Sequence, residues 1–161
     1  MNIKRDYYDA QFPDNSLIFN DLNFQDLNKK QPNMTNVELA KEVYALFSTG
    51  NVPAVLALFD PAIHWDECKS FPYAKGDNIF IGPDEVLKKI FMSIPEYYEG
   101  FTITVTDIFG SGDKVAMQGY YEGVYKPTGK RFKANAAHIW TVKDGKFTHF
   151  FQAVDTATII N

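Results

Sequence analysis

His138 and Glu67 are the two side chains in this sequence best suited to moving a proton near neutral pH. His138 lies in ANAAHIWTV beside Ala134, Ala136 and Ala137, which leave room around an imidazole whose ordinary pKa is about 6.5. It reads either as an acid or base lining a cavity, or as a core histidine hydrogen-bonded to a neighbouring strand or tyrosine. Glu67 follows Trp65 by two, so a strand here points both to one face. If that face is a cavity, desolvation raises the carboxyl pKa and makes Glu67 a proton shuttle; if it is solvent, Glu67 is an ordinary strand-end carboxylate. Gln152 both donates and accepts, and can orient a carbonyl or hydroxyl of a ligand. Asp155, ahead of Thr156-Ala157-Thr158, reads as the cap of a last helical turn or as a polar anchor at a cavity mouth. Trp65, Tyr73, Phe91, Tyr121 and Trp140 are the aromatic residues expected to line such a cavity, and each suits ordinary core packing equally well.

Other chemistries fit poorly. His64, His138 and His149 have no helical i, i+4 spacing, so no metal site is expected. There is no glycine-rich phosphate loop and no nucleophile elbow, and Cys68 between Glu67 and Lys69 reads as an incidental thiol. The chemistry these residues suggest needs neither metal nor organic cofactor.

Most of these residues sit in one stretch, 130–155, which reads as two long strands joined at Asp144-Gly145. The turn decides which residues share a face. A two-residue loop would put Lys143 opposite Lys146 and force Asp144 to positive φ. A three-residue loop with Gly145 left-handed and a bulge needs positive φ at Gly145 alone. We therefore expect the second, which pairs Val142 with Lys146, Trp140 with Thr148, His138 with Phe150 and Ala136 with Gln152. His138, Trp140 and Gln152 then share one face, and His149 points away from His138.

A hairpin this long needs a layer to pack on. Thr35-Asn36-Val37-Glu38 has capping-box spacing, and Val37, Ala40, Val43, Tyr44 and Phe47 follow at helical intervals up to Gly50. Asn51 can cap a second helix carrying Val55, Leu56 and Phe59. Residues 62–67 alternate as a short strand, and a loop through Pro72, Gly76 and Asp77 follows. A third helix is predicted from Pro83 to Pro95, burying Val86, Leu87, Ile90, Phe91 and Ile94. The period then changes to two, giving strands over 101–109, 115–125, 132–142 and 147–154. Helices first and an antiparallel meander after predict an α+β fold, one curved sheet with about three helices on one face. Residues 1–33, rich in Asn, Asp and Gln, read as a polar leader ahead of a domain over 34–161. The leader is either poorly ordered or an arm that docks on a neighbouring subunit through Leu17-Ile18-Phe19 and Leu22.

The 161 residues, 45% hydrophobic, allow one sizeable core. An aromatic content of 16% suits a filled core or a pocket for a flat apolar ligand alike. A net charge of −4 argues against nucleic acid as the main partner. No apolar run approaches the roughly eighteen residues of a membrane span, and the basic N-terminus lacks the apolar stretch of a secretory signal. With Cys68 the one cysteine, a reducing compartment, the cytoplasm, is expected.

Over about residues 34–158 the sequence resembles the SnoaL-like branch of the NTF2-like, ketosteroid-isomerase-related superfamily. The resemblance is carried by Trp65-Asp66-Glu67, Phe71-Pro72-Tyr73, Gly82-Pro83-Asp84, Thr128-Gly129-Lys130, Ala137-His138-Ile139-Trp140, Asp144-Gly145-Lys146 and Gln152-Ala153-Val154-Asp155-Thr156. It implies a strongly bent sheet around a hydrophobic cavity closed by helices, a small hydrophobic ligand, and often a homodimer packed through the outer sheet face. In the polyketide cyclases of this group a cavity Asp acts as general acid and base, fourteen residues after a His. Here that position is Gln152, whose amide exchanges no proton near neutral pH. The first expectation is an isomerase- or cyclase-type enzyme acting beside a carbonyl, with His138 or Glu67 as base and Gln152 or a tyrosine on the oxyanion. A non-catalytic binder of a flat apolar ligand and a dimeric assembly module are the alternatives.

Overall fold

Local capping decides where the first helix begins. In the computed structural model, which describes residues 34–74, 76 and 78–161, the Thr35 hydroxyl accepts from the Glu38 N–H at 3.2 Å. The Glu38 carboxylate accepts from the Thr35 N–H at 2.7 Å, completing the expected capping box of helix α1 (Asn36–Ser48). Gly50 (φ 72°) turns the chain out of α1, and Asn51 caps helix α2 (Val52–Ala57) by accepting from the Ala54 N–H. The leader read over residues 1–33 lies outside the described residues.

Strand β1 (Phe59–Asp66) pairs antiparallel with β2 (Ile79–Ile81), a three-residue strand that falls where the sequence reading saw only loop. The expected third helix is divided. It comprises α3 (Pro83–Val86), a π-helical turn over Leu87–Phe91 and α4 (Ile94–Tyr97). The wide turn is closed by Met92 N–H donating to Leu87 O at 2.9 Å, five residues back. Pro95 does not end the helix, as expected, but sits in the first turn of α4, where its missing N–H leaves no bond unmade. All five predicted core residues of this segment are buried.

Four long strands complete the sheet: β3 (Tyr98–Ser111), β4 (Lys114–Tyr125), β5 (Lys130–Lys143) and β6 (Lys146–Val154), followed by helix α5 (Thr156–Ile160). The order is β2-β1-β6-β5-β4-β3, antiparallel throughout except for the parallel β1–β6 pair. The α+β reading holds: six strands form one open, curved sheet with the helices on its inner face. Bulges in β3 sharpen the bend, and opposite one of them Gly119 has no room for a Cβ, which would stand 2.0 Å from Thr104 O. Strand β5 alternates without a break, burying Phe132, Ala134, Ala136, His138, Trp140 and Val142. Among the described residues no helix is long and apolar enough to cross a membrane.

The β5–β6 turn corrects the expected register. It is the two-residue loop, with Asp144 (φ 50°) and Gly145 (φ 73°) both left-handed and Lys143 opposite Lys146. The like-charge cost is relieved because Lys146 Nζ turns away to donate to Ala57 O at 2.6 Å, at the carbonyl end of α2. A register shift between Thr141 and Val142 then adds one residue to β6, so that Trp140 pairs with Phe150 and His138 with Gln152. Unshifted, Trp140 would face His149, and the side chains of β6 beyond the bulge would lie on the other face. The bulge is why Phe150 and Gln152 point inward with His138 and Trp140, the facing that was expected by a different route.

Candidate functional site

Between the inner sheet face and the helices lies a pocket of about 50 Å³. Its walls are mostly apolar, from Val55, Phe59, Ile90, Phe91 and Phe150, and six side chains with a hydroxyl, carboxyl, imidazole or amide line it: Tyr44, Glu67, Tyr73, Tyr121, His138 and Gln152.

Glu67 stands just past the end of β1. Its N–H donates to Asn78 O at 2.8 Å, which continues the β1–β2 pairing and holds Glu67 on the same face as Trp65. The side chain is 2% exposed. One carboxyl oxygen accepts from Trp65 Nε1 at 2.9 Å and the other from the Cys68 N–H at 3.1 Å. Burial pushes its pKa up to about 7; the two donors oppose the shift and neighbouring Asp66 adds to it.

Tyr44, His138, Tyr121 and Gln152 form a single hydrogen-bonded chain with Trp140. Trp140 Nε1 donates to the Tyr44 hydroxyl at 2.8 Å, and that hydroxyl lies 2.8 Å from His138 Nδ1. His138 Nε2 lies 2.6 Å from the Tyr121 hydroxyl, which donates to Gln152 Oε1 at 2.6 Å. Burial pushes the imidazole pKa down to about 3, so His138 is neutral at pH 7 with both ring nitrogens engaged. The same burial raises the hydroxyl pKa values of Tyr44 and Tyr121, keeping both protonated.

Eight of the nine predicted site residues face this pocket: Trp65, Glu67, Tyr73, Phe91, Tyr121, His138, Trp140 and Gln152. The ninth, Asp155, is exposed and caps α5, its carboxylate accepting from the Thr158 N–H and the Thr158 hydroxyl. Tyr44 is the residue the sequence reading placed only in an apolar stripe. Its hydroxyl was the available signal, since a tyrosine on the buried side of a helix needs a polar partner across the core. His149 lies on the outer sheet face, stacked on His64 with ring centroids 4.2 Å apart, and so faces away from His138 as expected.

A bent, open sheet closed by helices over a pocket with one buried carboxyl defines an NTF2-like architecture. The SnoaL-like domain model matches residues 40–150. An NTF2-like protein from Burkholderia thailandensis E264 is similar in structure, with a TM-score of 0.73 at 32% identity over 78% of this chain and 95% of that one. A protein from Mesorhizobium loti assigned as a SnoaL-like polyketide cyclase gives a TM-score of 0.59 at 23% identity, over 74% of this chain and 99% of that one. A Catenulispora acidiphila DSM 44928 protein of ketosteroid isomerase-like fold, in complex with trimethylamine, gives 0.63 at 18%, over 78% and 92%. No curated protein matches. The chain belongs to the SnoaL-like domain family.

Proposed function

We propose that this protein is a cofactor-independent enzyme of the isomerase or cyclase type, moving a proton beside the carbonyl of a small apolar compound. The observation that carries the reading is Glu67, the one carboxyl among the residues lining a mostly apolar pocket, fixed by Trp65 and Cys68. With a pKa near neutrality it is available as base and as acid in one cycle. As carboxylate it takes a proton from the carbon next to the carbonyl. That C–H bond breaks, its electrons pass to the carbonyl oxygen as an enolate, and the new carboxylic acid returns the proton to the same carbon or, in a substrate whose β,γ C=C extends the enolate to a dienolate, to the γ-carbon. In a cyclase the enolate carbon would instead attack a second carbonyl. The hydrogen-bonding groups that line the pocket, Gln152 foremost, would hold the oxyanion.

His138 supports this as a neutral member of the hydrogen-bonded chain, since neither ring nitrogen is free to take a proton from a substrate. Size restricts the ligand. An engineered cavity of about 150 Å³ holds benzene, so a flat ring compound enters this smaller pocket only if half-buried aromatic liners such as Tyr73 and Phe101 move aside.

The test is proton exchange in D2O. Cyclopentanone, cyclohexanone and acetophenone are incubated with the protein and loss of the α-proton signal is followed by NMR. Exchange above the buffer rate, lost in Glu67→Gln, is expected. The reading fails if none of the three exchanges faster than in buffer, or if Glu67→Gln leaves the rate unchanged.

A second reading, a binder without chemistry, is favoured by Gln152 standing where the cyclases carry an acid. It predicts a retained compound in native mass spectrometry and no exchange. We also propose a homodimer through the outer sheet face. There Ile139 and Phe151 pair directly at 45% and 42% exposure, with Phe109 at 57% on β3. Sedimentation of the wild type and of Phe151→Glu tests this. The proposed compartment is the cytoplasm, where the one thiol, Cys68, stays reduced.

A further inference from the structure

Proton counting along the buried chain gives it a direction. Trp140 Nε1 only donates, so the Tyr44 oxygen accepts from it. At the other end Gln152 Oε1 only accepts, so the Tyr121 proton is committed there, and the Tyr121 oxygen must accept from His138 Nε2. A neutral imidazole carries one proton. With that proton on Nε2, Nδ1 is bare and accepts from Tyr44. Every donor from Trp140 to Tyr121 then has its acceptor, and the Gln152 oxygen is taken up by the Tyr121 hydroxyl.

That leaves the Gln152 amide nitrogen. Gln152 is 5% exposed and lines the pocket, and its Nε2 has no partner among the described residues. Nor is it sealed among the buried polar atoms that packing leaves unbonded, which among the described residues are His64 Nδ1, Asn78 Oδ1 and the Tyr98 hydroxyl. It is the amide nitrogen of a buried pocket-lining residue, unbonded and not sealed by packing.

We infer that the Trp140–Tyr44–His138–Tyr121 chain is a positioning device that locks the Gln152 NH2 toward the pocket, so that the site selects ligands carrying a hydrogen-bond acceptor there. The ligand class is an apolar compound with a carbonyl or anionic oxygen. The amide donates both hydrogens and has no oxygen to offer a ligand hydroxyl. The opposite polarity is a real competitor. Turning the amide over reverses every proton in the chain, moves the imidazole proton to Nδ1 and presents an acceptor to the pocket. It also leaves the Tyr44 proton, Gln152 Oε1 and one amide hydrogen without partners, against two amide hydrogens in the arrangement above, and is the costlier of the two. His138 and Tyr121 are thus positioning residues, acting on the ligand through Gln152.

The inference shares its pocket with the proposed function but stands or falls separately. In 15N-histidine-labelled protein, NMR is expected to show His138 protonated on Nε2 and bare on Nδ1, unchanged from pH 5 to 8. A proton on Nδ1 overturns the inference, and this readout needs no variant. Cyclopentanone is then expected to bind about tenfold more tightly than methylenecyclopentane, its isostere without the acceptor. Tyr121→Phe and Gln152→Leu should bring the ratio close to one. Equal binding of the two probes to the wild-type protein also overturns it. Glu67-dependent exchange without ketone preference would defeat this inference alone. Ketone preference without exchange would defeat the proposed enzyme and leave the locked amide standing.

Discussion

The Tyr44 hydroxyl sits 2.8 Å from His138 Nδ1 and the Tyr121 hydroxyl 2.6 Å from Nε2, so neither ring nitrogen is left open to a substrate. A histidine in a pocket next to a carboxyl invites a catalytic role, but here both nitrogens serve neighbours. The side chain ties a helix to the sheet.

Removing the Tyr44 hydroxyl should be costly. In Tyr44→Phe, His138 Nδ1 and Trp140 Nε1 both lose their partner in a buried setting. Two unsatisfied polar groups predict a loss of about 2–4 kcal/mol of stability, measurable as a lower urea midpoint at unchanged slope. The tyrosine-to-phenylalanine control Tyr120→Phe, on the outer sheet face, should change little.

Stability should depend on pH through two opposing groups. Glu67, raised from 4.5 to about 7, contributes stability that is fully present below pH 4.5 and lost as pH rises through 7. His138, lowered from 6.5 to about 3, contributes stability present above pH 6.5 and lost as pH falls through 3. Between pH 4.5 and 6.5 the slopes cancel. Chemical denaturation should show a plateau there for the wild type, a stability that climbs with pH in Glu67→Gln, and one that declines with pH in His138→Phe. Each variant slope should approach about 1.4 kcal/mol per pH unit.

The hairpin turn offers a backbone test. Gly145 (φ 73°) has open space where a Cβ would stand, so Gly145→Ala is penalised by conformation alone. A loss of about 1 kcal/mol is expected. Asp144→Gly, at φ 50°, should be neutral or slightly stabilising in the same thermal melts.

The strands were legible because alternation over ten or more residues survives any local ambiguity: β4 and β6 start within one residue of their expected positions. β2 was not, since three residues carry too little pattern to distinguish strand from loop. The turn register was misread because like charges at Lys143 and Lys146 are a local argument. The carbonyl of Ala57 that draws Lys146 aside is 89 residues away in sequence. Within the site, the choice for Glu67 between solvent and pocket depended on how far the sheet bends, which side-chain periodicity does not encode. The role of Tyr44 depended on which helix residue meets His138 across the core, a relation between elements that the sequence leaves open.

The direct test of the account is the titration of the Glu67 carboxyl, followed by 13C NMR in labelled protein and assigned by loss of the signal in Glu67→Gln. The account predicts a midpoint near pH 7, set by burial against the apolar walls of the pocket. A midpoint at the ordinary 4.5 would mean that water reaches the carboxylate, and the proposed proton carrier would be a charged side chain with no chemistry of its own.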